Sequence, residues 1–191
     1  MKQRSLLASL KQPVEKIAEP PQKKIFLASA GYAVASVSKS NFSHGIAFET
    51  GIKVNDSFNV LLAAILFGET AYPFTYGDVA LKRQRFTLCV ERRVAKDRLE
   101  FSPLLGLSLE RTRMVPQWSD YTPRPGTEPH VEIGGIAGLK GVFWFATQVG
   151  IFVQGDVFFT RYKTHYVLMS DESISFSRIR FGVGAGLIVQ L

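Results

Sequence analysis

A single cysteine, Cys89, stands in a chain of 191 residues. No internal disulfide can form, and the paired spacing of a Cys/His metal site is absent. A lone cysteine is ordinarily a small buried side chain, and Cys89 is read that way. Nowhere do ~18 apolar residues follow one another, which excludes a transmembrane helix. Histidine is scarce, with only His44, His130 and His165. No G-x-S-x-G, phosphate-cradling glycine loop or paired metal motif accompanies them. Ser43-His44, and His130 with Glu132, invite comparison with a Ser–His–acid hydrolase, but neighbours in sequence do not make a triad. No catalytic residue, metal ligand or cofactor is therefore assigned. The chain also lacks a fold-level nucleic-acid motif, so nucleic acid is not an expected partner.

What the chain does have is alternation. In the last stretch, SFSRIRFGVGAGLIVQL, the odd positions from Ile179 to Leu191 are apolar. The even positions are Arg178, Arg180, Gly182, Gly184, Gly186, Ile188 and Gln190. A period of two held this long marks a strand whose two faces meet different surroundings. Its length suits a tilted bilayer-crossing strand of about 9–11 residues better than the usual soluble strand of roughly 5–6.

The same rhythm divides the chain from Ile25 onward into eight runs: 25–37, 45–54, 58–68, 80–94, 99–114, 131–143, 148–163 and 175–191. Residues 1–24 form a basic, proline-containing tail, with Lys2, Arg4, Lys11, Lys16, Lys23 and Lys24 against Glu15 and Glu19. This tail carries about half of the net charge of +7. The stretch IFLASAGYAVAS after Lys23-Lys24 imitates a signal peptide with a cleavage site, but barrel closure needs it, and it is read as a strand. Short and long connections alternate without exception. Asn55-Asp56-Ser57 and Ala95-Lys96-Asp97-Arg98 have tight-turn chemistry, whereas 115–130 carries four prolines and a glycine. The expected fold is all-β: an eight-stranded antiparallel up-and-down transmembrane β-barrel over 25–191 with a short N-terminal tail. Runs 25–37 and 58–68 are apolar on both faces and cannot be oriented from the sequence.

Alternation alone is shared with soluble, lipocalin-like ligand-binding barrels, which are apolar inside. Three features place the polar face inside here. It is rich in glycine, as a crowded interior demands. Its charges balance: Lys53, Arg85, Arg93, Lys140, Arg178 and Arg180 against Glu49, Glu91, Glu100, Glu110, Glu132 and Asp156. Such balance suits an ion-paired lumen, because an unpaired buried charge is costly. The third feature is the alternation of connection lengths. With this orientation Lys82, Arg111, Arg113, Arg161 and Lys163 continue the lipid-facing register toward the long-loop rim, where they suit phosphate contact. Phe58, Phe101, Phe143 and Trp144 fall near the short-turn rim, and Phe159, Tyr162 and Phe181 toward the other end, as aromatic girdles.

On this architecture and its last strand the chain resembles the small eight-stranded outer-membrane barrels of the OmpA/OmpX type and the compact Bacteroidota barrels, including the PorT-like group. The last strand is similar to their carboxy-terminal assembly signal, although it ends in Leu191 where an aromatic is usual. The resemblance implies insertion by the barrel assembly machinery and residence in the bacterial outer membrane. The long loops would then be extracellular and both termini periplasmic. The expected partners are outer-membrane lipids including lipopolysaccharide, and a protein bound through the long loops or the tail. The expected function is that of a filled structural, anchoring or partner-binding barrel rather than an open pore, since pores need about 16–18 strands. The alternatives are a soluble ligand-binding barrel and a lipid-A-modifying hydrolase.

Overall fold

The computed structural model describes residues 25–37, 41–72, 78–116, 129–167 and 173–191. The tail at 1–24 and most of the proline-rich connection lie outside the described residues. The strands are β1 (Phe26–Ser36), β2 (Phe42–Lys53), β3 (Phe58–Phe67), β4 (Thr70–Tyr72), β5 (Val79–Arg92), β6 (Val94–Lys96), β7 (Leu99–Pro116), β8 (His130–Trp144), β9 (Val149–Thr160), β10 (Thr164–Val167), β11 (Ser173–Phe176) and β12 (Ile179–Gln190). Eight of them close a ring in the order β1-β2-β3-β5-β7-β8-β9-β12, every pairing antiparallel, with β12 returning to β1. Closure leaves the ring without a free edge.

The short strands arise from local chemistry. β6 continues β5 in the same register along β7; extended through the gap, that register would set Arg92 opposite Pro103. Proline has no N–H to give the ladder, so the pairing lapses there and resumes at Val94. Between β3 and β4 the register against β5 shifts by one residue, a bulge at Gly68-Glu69. At the short-turn end, Asn55 Oδ1 accepts the N–H groups of Ser57 (2.8 Å) and Phe58 (2.9 Å). Asp97 takes φ 56° in the β6–β7 turn, a conformation that Asp tolerates better than most side chains. The sequence had carried two strands straight through to 163 and from 175. The structure instead ends them at Thr160 and starts β12 at Ile179, because β10 and β11 pair separately as a hairpin beyond the ring.

The apolar stripes face outward. Leu105, Leu107, Ile133, Val153, Phe181 and Val183 are each more than half exposed, and comparable residues occur on every ring strand. The inward face holds Arg83, Arg85, Glu110, Lys140 and Arg180, none more than 1% exposed. This is the reverse of a lipocalin-like interior, and it corrects that alternative. An apolar belt around the whole ring is far larger than the few hundred Å² that soluble monomers expose, so it calls for an apolar solvent. The two unoriented runs now have faces: Leu27, Ala33 and Ala35 of β1 and Asn59 and Leu61 of β3 are buried, while Phe26, Tyr32, Phe58 and Leu62 are exposed.

The inner wall is lopsided. β12, β1 and β2 turn Gly182, Gly184, Gly186, Gly31, Ala33 and Ala47 toward the lumen, and the opposite strands supply the long side chains. The glycines serve two purposes. A Cβ on Gly182 would lie 2.7 Å from a carboxylate oxygen of Asp156, so here glycine yields space to a large neighbour. A Cβ on Gly186 would lie 2.2 Å from the Ala30 carbonyl oxygen and 2.4 Å from Cα of its register partner Gly31. There glycine permits close backbone approach, a role that side-chain crowding had not suggested.

Candidate functional site

The interior is organised in layers along the barrel axis. At the long-loop end, Val37, Tyr72, Val79, Leu81, Met114, Ile174 and Phe176 form a buried apolar cluster. Ile174 and Phe176 come from β11, so the β10–β11 hairpin helps to close the mouth with hydrocarbon.

Beneath this cap lies a knot of ions centred on Glu110. Arg83 donates to its Oε1 from Nε (3.0 Å) and Nη2 (2.9 Å), and Arg85 donates from Nε to Oε2 (2.9 Å). Arg180 donates from Nη1 to Oε1 (2.8 Å) and bonds Glu132 through Nη2. Arg85 also reaches Asp156 at 3.4 Å. Three guanidiniums thus meet three carboxylates. Aromatic faces complete their packing: Arg83 lies 4.7 Å from the Phe67 ring centroid, and Arg85 and Arg180 lie 4.8 and 4.6 Å from that of Phe158. Guanidiniums are weakly hydrated and stack on rings, so arginine suits this burial better than lysine would.

Toward the middle, a cavity of about 40 Å³ separates Arg85, Gln154 and Asp156 from Ala33, Ala47 and Gly184. This is room for water rather than for a solute. The next layer joins Lys140 to Glu49 by a direct ion pair, with Glu91 4.0 Å away. Asn59 donates to Glu91 at 2.6 Å, and Ser29 donates to Glu49 at 3.5 Å. The buried Cys89 packs beside this layer with Leu27 and Leu61. Below it, Val142, Phe152 and Ile188 form an apolar floor with Trp144 against them.

At the short-turn end, Arg93 forks onto both oxygens of Glu100 at 2.8 and 2.5 Å, and the Trp144 indole N–H donates to the same carboxylate at 3.3 Å. Trp144 is therefore turned into the mouth and is not part of an outer girdle. Phe58, Phe101 and Phe143 do face outward, as do Phe159, Tyr162 and Phe181 at the opposite end. Lys53 sits at the rim and pairs with exposed Asp56 at 2.6 Å. That hydrogen bond and the ammonium charge hold the Asp56 carboxyl below its ordinary value.

Of the charges expected to line the lumen, Arg178 stands apart. It is exposed in the bend before β12 and joins no ion pair among the described residues. The separate β10–β11 hairpin breaks the strand there, so the alternation that had turned Arg178 inward stops short of it. Arg83 was missed, although the parity of β5 carried the signal: with Arg85 inward and Lys82 outward, position 83 must face inward too. Phe158 was missed in the same way, since the parity that turns Gln154 and Asp156 of β9 inward turns it inward too. The inward ring of Phe67 left no comparable trace, because the run 58–68 is apolar on both faces.

Lys82, Arg111, Arg113, Arg161 and Lys163 are all exposed toward the long-loop end. Lys82 and Arg113 are register partners, as are Gln84 and Arg111, so β5 and β7 present a square of donors on the outer face. Lys82 also pairs with Glu69 of the bulge at 2.6 Å. The candidate hydrolase dyad does not assemble. Ser43 is buried and bonded to Thr70 at 2.9 Å, while its neighbour His44 is exposed on the outer face and stacked on Tyr32. His130 is 3.9 Å from Glu132, whose oxygens already take Arg180 and Thr164. Among the described residues no group of His, Cys, Asp and Glu could hold a metal ion.

No protein-family model matches the chain, and no curated protein matches it in sequence. Solved structures do match its shape. Neisserial surface protein A superposes with a TM-score of 0.61 at 14% identity, over 87% of this chain and 96% of that one. The outer membrane protein OprG of Pseudomonas aeruginosa gives 0.60 at 11% identity, over 87% and 95%. The chain has the fold of the small eight-stranded outer-membrane barrels. Ail, the attachment invasion locus protein of Yersinia pestis, in complex with the heparin analogue sucrose octasulfate, gives 0.57 at 11% identity, over 88% and 99%. At these identities the likeness is one of fold.

Proposed function

We propose that this chain is an integral protein of the bacterial outer membrane, with its lumen filled, its long loops outside and both termini in the periplasm. It acts as a structural, anchoring or partner-binding barrel, neither an enzyme nor an open pore. The observation that carries this reading is the contrast between the two faces of the ring. The outside is apolar around the whole circumference, while the inside is occupied by the Glu110 knot, whose three arginines are at most 1% exposed. Eight strands enclose a space that side chains can fill. Assembly machinery of the outer membrane would insert the barrel, and the apolar belt would then face the lipid.

The exposed cations Lys82, Arg111, Arg113, Arg161 and Lys163 then lie at the height of the outer-leaflet headgroups. Guanidinium and ammonium groups there pair with the phosphates of lipopolysaccharide, and arginine does so with two parallel hydrogen bonds. The sucrose octasulfate on Ail is a polyanion on the same fold and agrees with this chemistry. The loops and the basic tail are the surfaces left for a protein partner.

Membrane fractionation, gel migration with and without boiling, and planar-bilayer conductance test the reading together. The expected result is recovery from the outer membrane only in detergent, a band that shifts on boiling, and no sustained porin-sized current. Protein that stays in solution without detergent, or a stable large conductance, would overturn it.

A further inference from the structure

At the short-turn mouth lies a cleft of about 460 Å³, within the range of about 300–1,000 Å³ typical of small-molecule sites. Two turns form its walls: Asp97 and Arg98 stand on one side, Phe145 and Thr147 on the other. The Trp144 N–H donates to the Arg98 carbonyl at 2.8 Å, which ties the two turns together at the base. Trp144 and the Arg93–Glu100 fork form the floor, and Gln190 of β12 completes the lining.

The chemistry of this lining is selective. Glu100 is 4% exposed, and its oxygens are taken by Arg93, Ser102 and the Trp144 indole. Arg93 is committed in return, so the floor offers no net charge. The lip carries one acid and one base as sequence neighbours, Asp97 and Arg98, and neither joins an ion pair among the described residues. What remains is a pair of adjacent aromatics, Trp144 half-buried and Phe145 49% exposed, beside a carboxylate, a guanidinium, an amide and a hydroxyl. Aromatic surface ringed by planar polar groups is how proteins hold sugars. The C–H face of the ring packs on the aromatic, and the hydroxyl and acetamido groups bond to the planar side chains. A strongly charged ligand would find no unspent counter-charge on the floor.

We propose that this cleft binds a neutral sugar chain bearing acetamido groups. The cleft is partly open to solvent, so a chain can extend out of it. The orientation proposed above makes the periplasmic side the source of that chain, but the binding itself does not depend on that orientation.

The test uses the full-length protein in an amine-oxide detergent, which carries no sugar headgroup. Trp118→Phe leaves Trp144 as the only tryptophan of the chain. Titration with the N-acetylglucosamine trimer is expected to change Trp144 emission saturably. Arg98→Ala and Phe145→Ala should each weaken binding by about threefold to tenfold, a loss of roughly 0.7–1.4 kcal/mol, while leaving the boil-shifted gel band unchanged. A flat titration, a response indifferent to both substitutions, or equal binding of triglycine would each overturn the proposal. None of these outcomes bears on membrane residence, which fractionation reads independently.

Discussion

Arg180 and Glu110 are 70 residues apart in the chain, yet Nη1 of Arg180 lies 2.8 Å from Oε1 of Glu110 inside the barrel. The contact joins the last strand to β7, and Arg83 and Arg85 of β5 converge on the same carboxylate. One acid therefore anchors cations from two separated strands of the ring.

Removing that acid should be costly. Glu110→Gln leaves the buried arginines with one counter-charge fewer, and breaking a buried ion network in this way typically costs about 3–5 kcal/mol. Urea unfolding of the barrel in lipid vesicles should show the midpoint falling accordingly. Lys53→Gln at the exposed rim should leave the midpoint nearly unchanged, since Asp56 is in water and the pair is screened.

The glycines of β12 should not respond alike. Gly186→Ala drives a methyl group into the Ala30 carbonyl and Gly31, and strain of this kind costs roughly 1–3 kcal/mol. Gly184→Ala meets its nearest neighbour, the Tyr32 carbonyl oxygen, at 3.4 Å and should be close to neutral. The fraction of the boil-sensitive gel band after refolding separates the two.

A charge on the outer belt tests its surroundings. Leu107 is 66% exposed near the middle of β7. In a bilayer Leu107→Arg should cost about 2–4 kcal/mol, the depth-dependent penalty for a lipid-facing arginine. In a water-facing barrel the same change would be neutral, and folding in vesicles distinguishes the two.

Replacing Lys82, Arg111 and Arg113 with glutamine should weaken retention on immobilised lipid A and reduce its sensitivity to salt, because screened phosphate contacts are lost. Equal retention at all salt concentrations would remove these residues from the phosphate-contact assignment.

Deleting residues 1–24 should leave the boil-sensitive band and the urea midpoint unchanged. Every strand of the ring lies between Phe26 and Gln190, and the outermost pairing, Phe26 with Leu191, needs no residue before Ile25 beyond its carbonyl bond to Lys53.

The alternation of side chains along a strand is a local property, so the ring strands, their approximate bounds, the antiparallel order and the inner face of most strands are legible in the sequence. It also placed Glu110, Arg85, Lys140 and Asp156 on the inner face without any knowledge of their partners. Where both faces of a run are apolar, as in β1 and β3, parity carries no signal, and only ring closure chose between Leu27 and Phe26. The same limit hid Phe67, and because nothing local marks a break at Ser177 and Arg178, the last strand reads straight through them. The convergence of Arg83, Arg85 and Arg180 on Glu110, the apolar cap and the cleft between two turns depend on register and closure. Those set distances between residues tens of positions apart, which no local pattern encodes, and they were decided by the tertiary structure alone.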